Sequence, residues 1–204
     1  MGNFAVSPSL RGLGIAKSLM MLLEKEGERL GLTYLSAYAL LQHEYSQRLF
    51  DNQYVPVGVS LSSVGTLNSN DHLFDRRMLN GEICLCKPLE KNYRIVVPEL
   101  SGFDSRIKDL YKSISVDIFV DEKPSRPITR LGDYVVVDIR EESAGSLIRS
   151  AYERDYVCLG IFPSGREGLN MLGFASKKLI NTSSQNYVAN NNERDKFVRT
   201  TLLG

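Results

Sequence analysis

The sequence predicts an α/β (α+β) fold, a mixed twisted sheet with a second α+β half packed beside it. Three observations predict it. An apolar strand, a Gly-rich turn, an amphipathic helix and another strand follow one another within residues 3–41, and a β-α-β-β order returns over residues 134–175. Between them lie two breaks, one at 60–71, rich in Ser, Gly, Asn and Asp, and one at 123–127, with two prolines. A chain of 204 residues is long enough for one sizeable core or two small ones. The division expected is 1–60 and 61–204.

Residues 3–6 read as a short strand ending at Ser7-Pro8. Over residues 13–30, Ile15, Ala16, Leu19, Met20, Leu22 and Leu23 recur at helical spacing, with Lys17, Glu24, Lys25, Glu28 and Arg29 mostly off that stripe. That spacing predicts an amphipathic helix, which Gly31 is placed to end in a left-handed conformation. Residues 33–41, with Tyr34, Leu35, Tyr38 and Leu40, predict a strand. Strand, turn, helix and strand make a βαβ unit, so the two strands are expected to be parallel and the helix to cross one face of the sheet.

A shorter helix is expected at 44–52 and a strand at 54–59, where Pro56 suits a sheet edge. Strands follow at 81–87 and 93–97, then a helix at 105–113. Beyond the second break the pattern gives strands at 134–139, 156–162 and 169–175 and a helix at 143–154. Gly165-Arg166-Glu167-Gly168 reads as a hairpin turn. Residues 181–192, rich in Asn and Ser, have little to bury and are expected to form a flexible or exposed loop, with the last dozen residues fraying.

Twenty-five Lys and Arg stand against 24 Asp and Glu, so no global field favours nucleic acid or an anionic membrane surface, and any anion site must be local. No window approaches the roughly 20 apolar residues that span a bilayer, and the first residues lack the basic-then-apolar run of a secretory signal. The expectation is a cytoplasmic protein. Cys84 and Cys86 lie two apart in an apparent strand and Cys158 in another apolar run, and all three read as free thiols. His43 and His72 lie elsewhere and no second Cys pair has ligand spacing, so no metal is expected.

The chemistry is expected at Val6-Ser7-Pro8-Ser9-Leu10-Arg11-Gly12-Leu13-Gly14-Ile15-Ala16-Lys17, where small residues stand at the turn from strand to helix. The first N–H groups of a helix have no intrahelical partner and carry the positive end of its dipole, so a diphosphate can accept their hydrogen bonds. Arg11 and Lys17 add charge nearby. The bland alternative is that Gly12 and Gly14 serve only a tight turn. A mononucleotide-binding loop fits worse, since a third glycine and a Lys-Ser/Thr pair are both absent.

Arg11-Gly12-Leu13-Gly14-Ile15-Ala16 resembles the acetyl-coenzyme A motif of the GCN5-related N-acetyltransferases, Arg or Gln-x-x-Gly-x-Gly or Ala. The resemblance extends over residues 3–59, where strand, motif, helix, strand, short helix and strand come in family order. It implies a pyrophosphate held by the backbone of Leu13, Gly14, Ile15 and Ala16 with Arg11 at the turn. Pantetheine would run along the strand ending at Val6, between the two splayed strands, and an amine would attack the thioester directly. Such a reaction needs a route for the amine proton, a donor to the developing oxyanion and an acid for the thiolate.

Two departures qualify the resemblance. The family's acid is a tyrosine in a Leu-Tyr-x-Lys-x-Gly-Phe stretch, but here Arg48-Leu49-Phe50-Asp51-Asn52-Gln53-Tyr54 has no tyrosine at that position. Tyr45 or His43 is the candidate substitute, against the bland readings of a packing tyrosine and a helix-start histidine. The family also has about half its domain before the motif, so the acceptor site is expected to be incomplete within 1–60. The remainder would come from preceding chain, from a partner subunit such as a second copy, or from the later β-α-β-β unit. That unit, within 130–178, resembles the tail half of a degenerate second acetyltransferase fold without a cradle. A coenzyme A-binding sensor or scaffold is the rival reading.

Overall fold

The computed structural model describes residues 5–41, 44–50, 53–61, 81–90, 93–98, 105–114, 116–121, 134–163, 168–183 and 193–203. A 310 turn, Pro8–Leu10, leads to α1 (Ile15–Arg29), β1 (Tyr34–Leu40), α2 (Glu44–Arg48), β2 (Val55–Ser60) and β3 (Glu82–Pro88). Next come β4 (Tyr93–Pro98), α3 (Ser105–Ser113) and β5 (Val116–Asp121). The chain continues through β6 (Tyr134–Asp138), α4 (Ala144–Glu153), β7 (Tyr156–Pro163), β8 (Leu169–Ser176), α5 (Lys177–Ser183) and α6 (Glu193–Leu203). The fold is mixed α+β. Six strands form one antiparallel sheet in the order β1-β3-β2-β7-β8-β6, and β4 pairs with β5 in parallel.

The six-stranded sheet has an internal symmetry of pairing. β1, β3 and β2 lie on one side of its centre, and β6, β8 and β7 repeat that order on the other. In each set a strand leads through a helix to a second strand, and a third inserts between them. The sets join where β2 meets β7, at Gly58 opposite Gly160. Each glycine follows a register shift of one residue, between Pro56 and Gly58 in β2 and between Cys158 and Gly160 in β7. The sequences at the join also correspond, Tyr54-Val55-Pro56-Val57-Gly58-Val59 with Tyr156-Val157-Cys158-Leu159-Gly160-Ile161. The 60/61 division thus falls between two strands of a single sheet.

Period-two alternation sorts the side chains. Ala39, Ile83 and Val59 are register partners on one side of the join, Val137, Leu172 and Ile161 on the other, and all are at most 1% exposed. Removing a Leu- or Ile-sized side chain from water stabilises by roughly 1.5–3 kcal/mol, so these rows supply much of the driving force. Tyr111 of α3 is fully buried, and its hydroxyl donates to Leu169 O (3.0 Å), which ties α3 to β8.

Several expectations are corrected. Of the strand expected at residues 3–6, Ala5 and Val6 are not in a strand and residues 3 and 4 lie outside the described residues, and among the described residues β1 has no parallel partner. The parallel pair is β4 and β5, joined through α3, and β5 was not foreseen although Val116-Asp117-Ile118-Phe119-Val120 alternates as a strand should. The apolar stripe of α1 is covered only in part: Met20 packs on the core and Ile15 and Ala16 are half-buried. Leu19, Leu22 and Leu23 are 41%, 61% and 42% exposed, and only Gly27 is buried. The helix is anchored instead near its C-terminal half, where Gly27 sits against Leu89 and Leu35 and Glu24 pairs with Lys87 (2.8 Å). It ends at Gly31 with φ +65, as expected.

At the other terminus, fraying gives way to α6, whose Val198, Thr201 and Leu202 are buried. Arg106 of α3 donates to Thr201 Oγ1 (2.7 Å) and fixes that helix. Residues 181–183 belong to α5 rather than a loop, while 184–192 lie outside the described residues, as do 51–52, 62–80 with its loop, 123–127, 164–167 and His72. No described helix is long and apolar enough to cross a membrane.

Cys84, Cys86 and Cys158 are buried and form no disulfide, and among the described residues no group of three or more His, Cys, Asp or Glu could hold a metal ion. Burial pushes the Cys84 and Cys86 thiols up to about 12. At pH 8 the thiolate fraction of such a group is roughly one part in ten thousand. A disulfide-exchange reagent at pH 8 is therefore expected to leave Cys84 and Cys86 unmodified in the folded protein and to label both after denaturation. Fast labelling of either without denaturant would contradict the sheet register.

Candidate functional site

The chain turns twice before α1. Leu10 N–H donates to Ser7 O (2.9 Å) and Arg11 N–H to Pro8 O (3.3 Å), closing the 310 turn. Gly12 and Gly14 then take φ +81 and +74, and Gly14 is the N-cap of α1. Left-handed backbone costs an L-residue roughly 1–2 kcal/mol, which is why glycine stands at both points. The first bond into the helix runs from Ser18 N–H to Gly14 O (3.0 Å), and the N–H groups of residues 12–17 meet no backbone acceptor among the described residues.

The glycines of this turn border open space. Nothing lies within 4 Å of where a Cβ would stand on Gly12 or Gly14, and the first turn of α1 holds no acidic residue. Unpartnered donors, the positive end of a 15-residue helix and an unobstructed backbone together suit a diphosphate. Arg11, Leu13 and Lys17 are exposed, and Val6, Ile15 and Ala16 are half-buried. Arg11 Nε reaches back toward Val6 O (3.5 Å), so the guanidinium leans on the preceding segment.

The catalytic candidates fare differently. Tyr45 lies on α2 with 75% of its surface exposed, while His43 lies outside the described residues. Sequence reasoning missed Gln47, which is buried and donates its amide to Leu40 O (3.0 Å) and Leu41 O (3.1 Å), fastening α2 to the end of β1. A lone Gln on a short helix carries no signal that it will satisfy two strand-end carbonyls. Tyr38 was also read only as a strand residue. Burial, followed by the field of Cys84, raises the pKa of its hydroxyl.

Residues 1–53 match the model of the Acetyltransferase (GNAT) family. The match spans the turn, α1, β1 and α2 and suggests acyl transfer in general. No curated protein and no solved structure matches the chain.

Proposed function

We propose that the protein is an acyl-coenzyme A-dependent N-acyltransferase that transfers acetyl from acetyl-coenzyme A to an amine by direct attack. The observation that carries the reading is the set of unpartnered N–H groups at residues 12–17, beside open glycines and inside the segment that matches the acetyltransferase family. Leu13, Gly14, Ile15 and Ala16 would hold the diphosphate through their amides, with Arg11 and Lys17 adding charge and Val6 bordering the pantetheine arm. The cofactor supplies the activated thioester. Tyr45 would donate the proton that the leaving sulfur needs, a role it shares as candidate with His43.

We take the protein to be cytoplasmic, with 1–60 as the cofactor-binding part and 61–204 as an α+β part whose 130–178 segment is a degenerate acetyltransferase half. The acceptor site would be completed by further chain or by a partner subunit. One observation favours the rival reading, a coenzyme A-binding sensor: Leu49 stands where the family's acid tyrosine is expected, and Tyr45 is largely exposed. Calorimetric titration with coenzyme A and thiol release from acetyl-coenzyme A over a panel of amines separate the two. Binding with turnover is the expected result. Binding without turnover for any amine would favour the sensor, and absence of binding would sink both.

A further inference from the structure

α1 straddles two strands of the sheet. Gly27 sits against Leu35 of β1 and against Leu89, the residue after β3, and Glu24 pairs with Lys87 of β3 (2.8 Å). Each residue turns a helix by about 100°, so Glu24 leans toward β3, Met20 and Gly27 point down at the sheet, and Leu19, Leu22 and Leu23 come next, on the side away from β3. That side overhangs the outer edge of β1. Leu22 is 61% exposed there, and Leu19 and Leu23 are exposed as well.

β1 ends the six-stranded sheet, and among the described residues nothing pairs with its outer edge. Free edges are commonly blunted by Lys, Pro or a bulge. Tyr34-Leu35-Ser36-Ala37-Tyr38-Ala39-Leu40 carries no charge and no proline, and its register with β3 runs without a shift. An open strand edge and an apolar helix side therefore stand together.

A second copy of the chain fits both. An edge strand pairs with itself antiparallel about a two-fold axis, which for the seven residues of β1 passes Ala37. α1 and β1 run in opposite directions across the turn at Gly31. Ala37 is two residues, roughly 7 Å, beyond Leu35, and the same distance back along α1 from Gly27 reaches Leu22 and Leu23. The middle of the stripe is level with the middle of the strand. Strands about 4.8 Å apart put a helix lying between β1 and β3 about 5 Å from that axis, hence about 10 Å from its own copy, the separation at which helices pack. The charges interspersed on this side, Glu26 and Arg29, are bonded to each other (2.6 Å), so the face brings no net charge against its copy. We propose that two copies join edge to edge here, β1 extending the sheet across the two-fold axis and the Leu19, Leu22 and Leu23 stripes of the two α1 helices covering one another.

Sedimentation equilibrium of the full chain is expected to give twice the chain mass of 22.9 kDa. Leu22→Glu should weaken the dimer at least about 100-fold, since the charge enters the contact from both copies. Met21→Glu is the control, because Met21 is 51% exposed on the far side of α1, and association should be as in the native protein. Both side chains are exposed, so both variants should fold, which circular dichroism checks. Oxidation should link Leu22→Cys into a covalent dimer and leave Met21→Cys unlinked, the native thiols being buried. In hydrogen exchange, the β1 amides that point away from β3 should exchange about tenfold or more faster in Leu22→Glu than in the native protein. A native chain that stays at 22.9 kDa, a Leu22→Glu dimer of native strength, equal linking at both cysteine positions, or equal exchange in β1 would overturn the proposal. A monomer that floats with phosphatidylglycerol vesicles would overturn it too, and assign the stripe to a lipid surface. Coenzyme A affinity is a separate readout and bears only on the acyltransferase reading.

Discussion

Gly160→Val is expected to abolish folding, or to cost more than about 4 kcal/mol if any folded protein is recovered, the scale of the severest single substitutions. A Cβ at this position would fall inside contact distance of Val57 O and Gly58 Cα and within 2.9 Å of Val57 C, all backbone atoms of β2. Backbone cannot swing aside as a side chain can. The position also has φ +125, which an L-residue rarely adopts, so the substitution meets strain and collision together. Among the described residues Gly58 with Gly160 is the one register pair joining the two three-stranded sets, so a displacement here separates the rows of buried Ala39, Ile83 and Val59 from Ile161, Leu172 and Val137. Total stabilities of about 5–15 kcal/mol leave little margin. Gly173→Ala is the comparison: its new methyl meets the Phe162 ring at 2.6 Å, a side chain that can rotate, and a loss of about 1–3 kcal/mol is expected. Chemical denaturation of both variants checks the ranking. A Gly160→Val protein that unfolds at the native midpoint would mean that the two sets are not joined here.

Much of this sheet was legible because period-two patterns are local. β1, β2, β3, β6, β7 and β8 all fall within a residue or two of the segments read from alternation and flanking turns. The order of the strands was not legible. Register is decided by which faces bury, and the correspondence of 54–59 with 156–161 gains its meaning only once Gly58 is seen opposite Gly160. β5 was missed because a short run between a helix and a break offers little length to judge, and its partner β4 is supplied by the crossover through α3. Helical periodicity foretold that α1 exists but not what it touches. Leu22 is 61% exposed while Gly27, one turn beyond Leu23, is the buried contact. α6 was read as frayed because its polarity hid Val198, Thr201 and Leu202, which are buried where α6 packs against β7 and β2 and Arg106 holds Thr201.

The cradle was the most legible part of the candidate site, since two glycines at a helix entrance state a backbone requirement directly. Both take the left-handed conformation, and Ile15 opens α1 as the spacing requires. The acid was the least legible, because proton donation depends on position in space. Tyr45 shares its helix with Gln47, and it is Gln47 that turns inward.

Gly14→Val is expected to reduce coenzyme A affinity at least 100-fold, equivalent to about 2.7 kcal/mol or more, while leaving the protein folded. Valine disfavours the φ of +74 that Gly14 holds, and leaving that conformation turns the amides of the following residues away from a common point. Should the backbone keep its shape, the new side chain enters the open space beside the same amides, where nothing now lies within 4 Å. Either response removes donors from the diphosphate. The fold should survive because the turn is exposed and the anchors of α1, Gly27 with Leu35 and Leu89 and the Glu24 to Lys87 pair, lie about three to four helical turns away. A stability loss of about 1–2 kcal/mol is the cost expected from the conformation alone. Arg11→Ala should act more weakly, by about tenfold, since that side chain leans toward Val6 O and contributes field more than contact. Pantetheine, which lacks the diphosphate, supplies the control: its affinity should be the same for the native protein and for Gly14→Val. Calorimetric titration of both ligands decides the matter, and an unchanged coenzyme A affinity in the folded variant would place the diphosphate somewhere other than the mouth of α1.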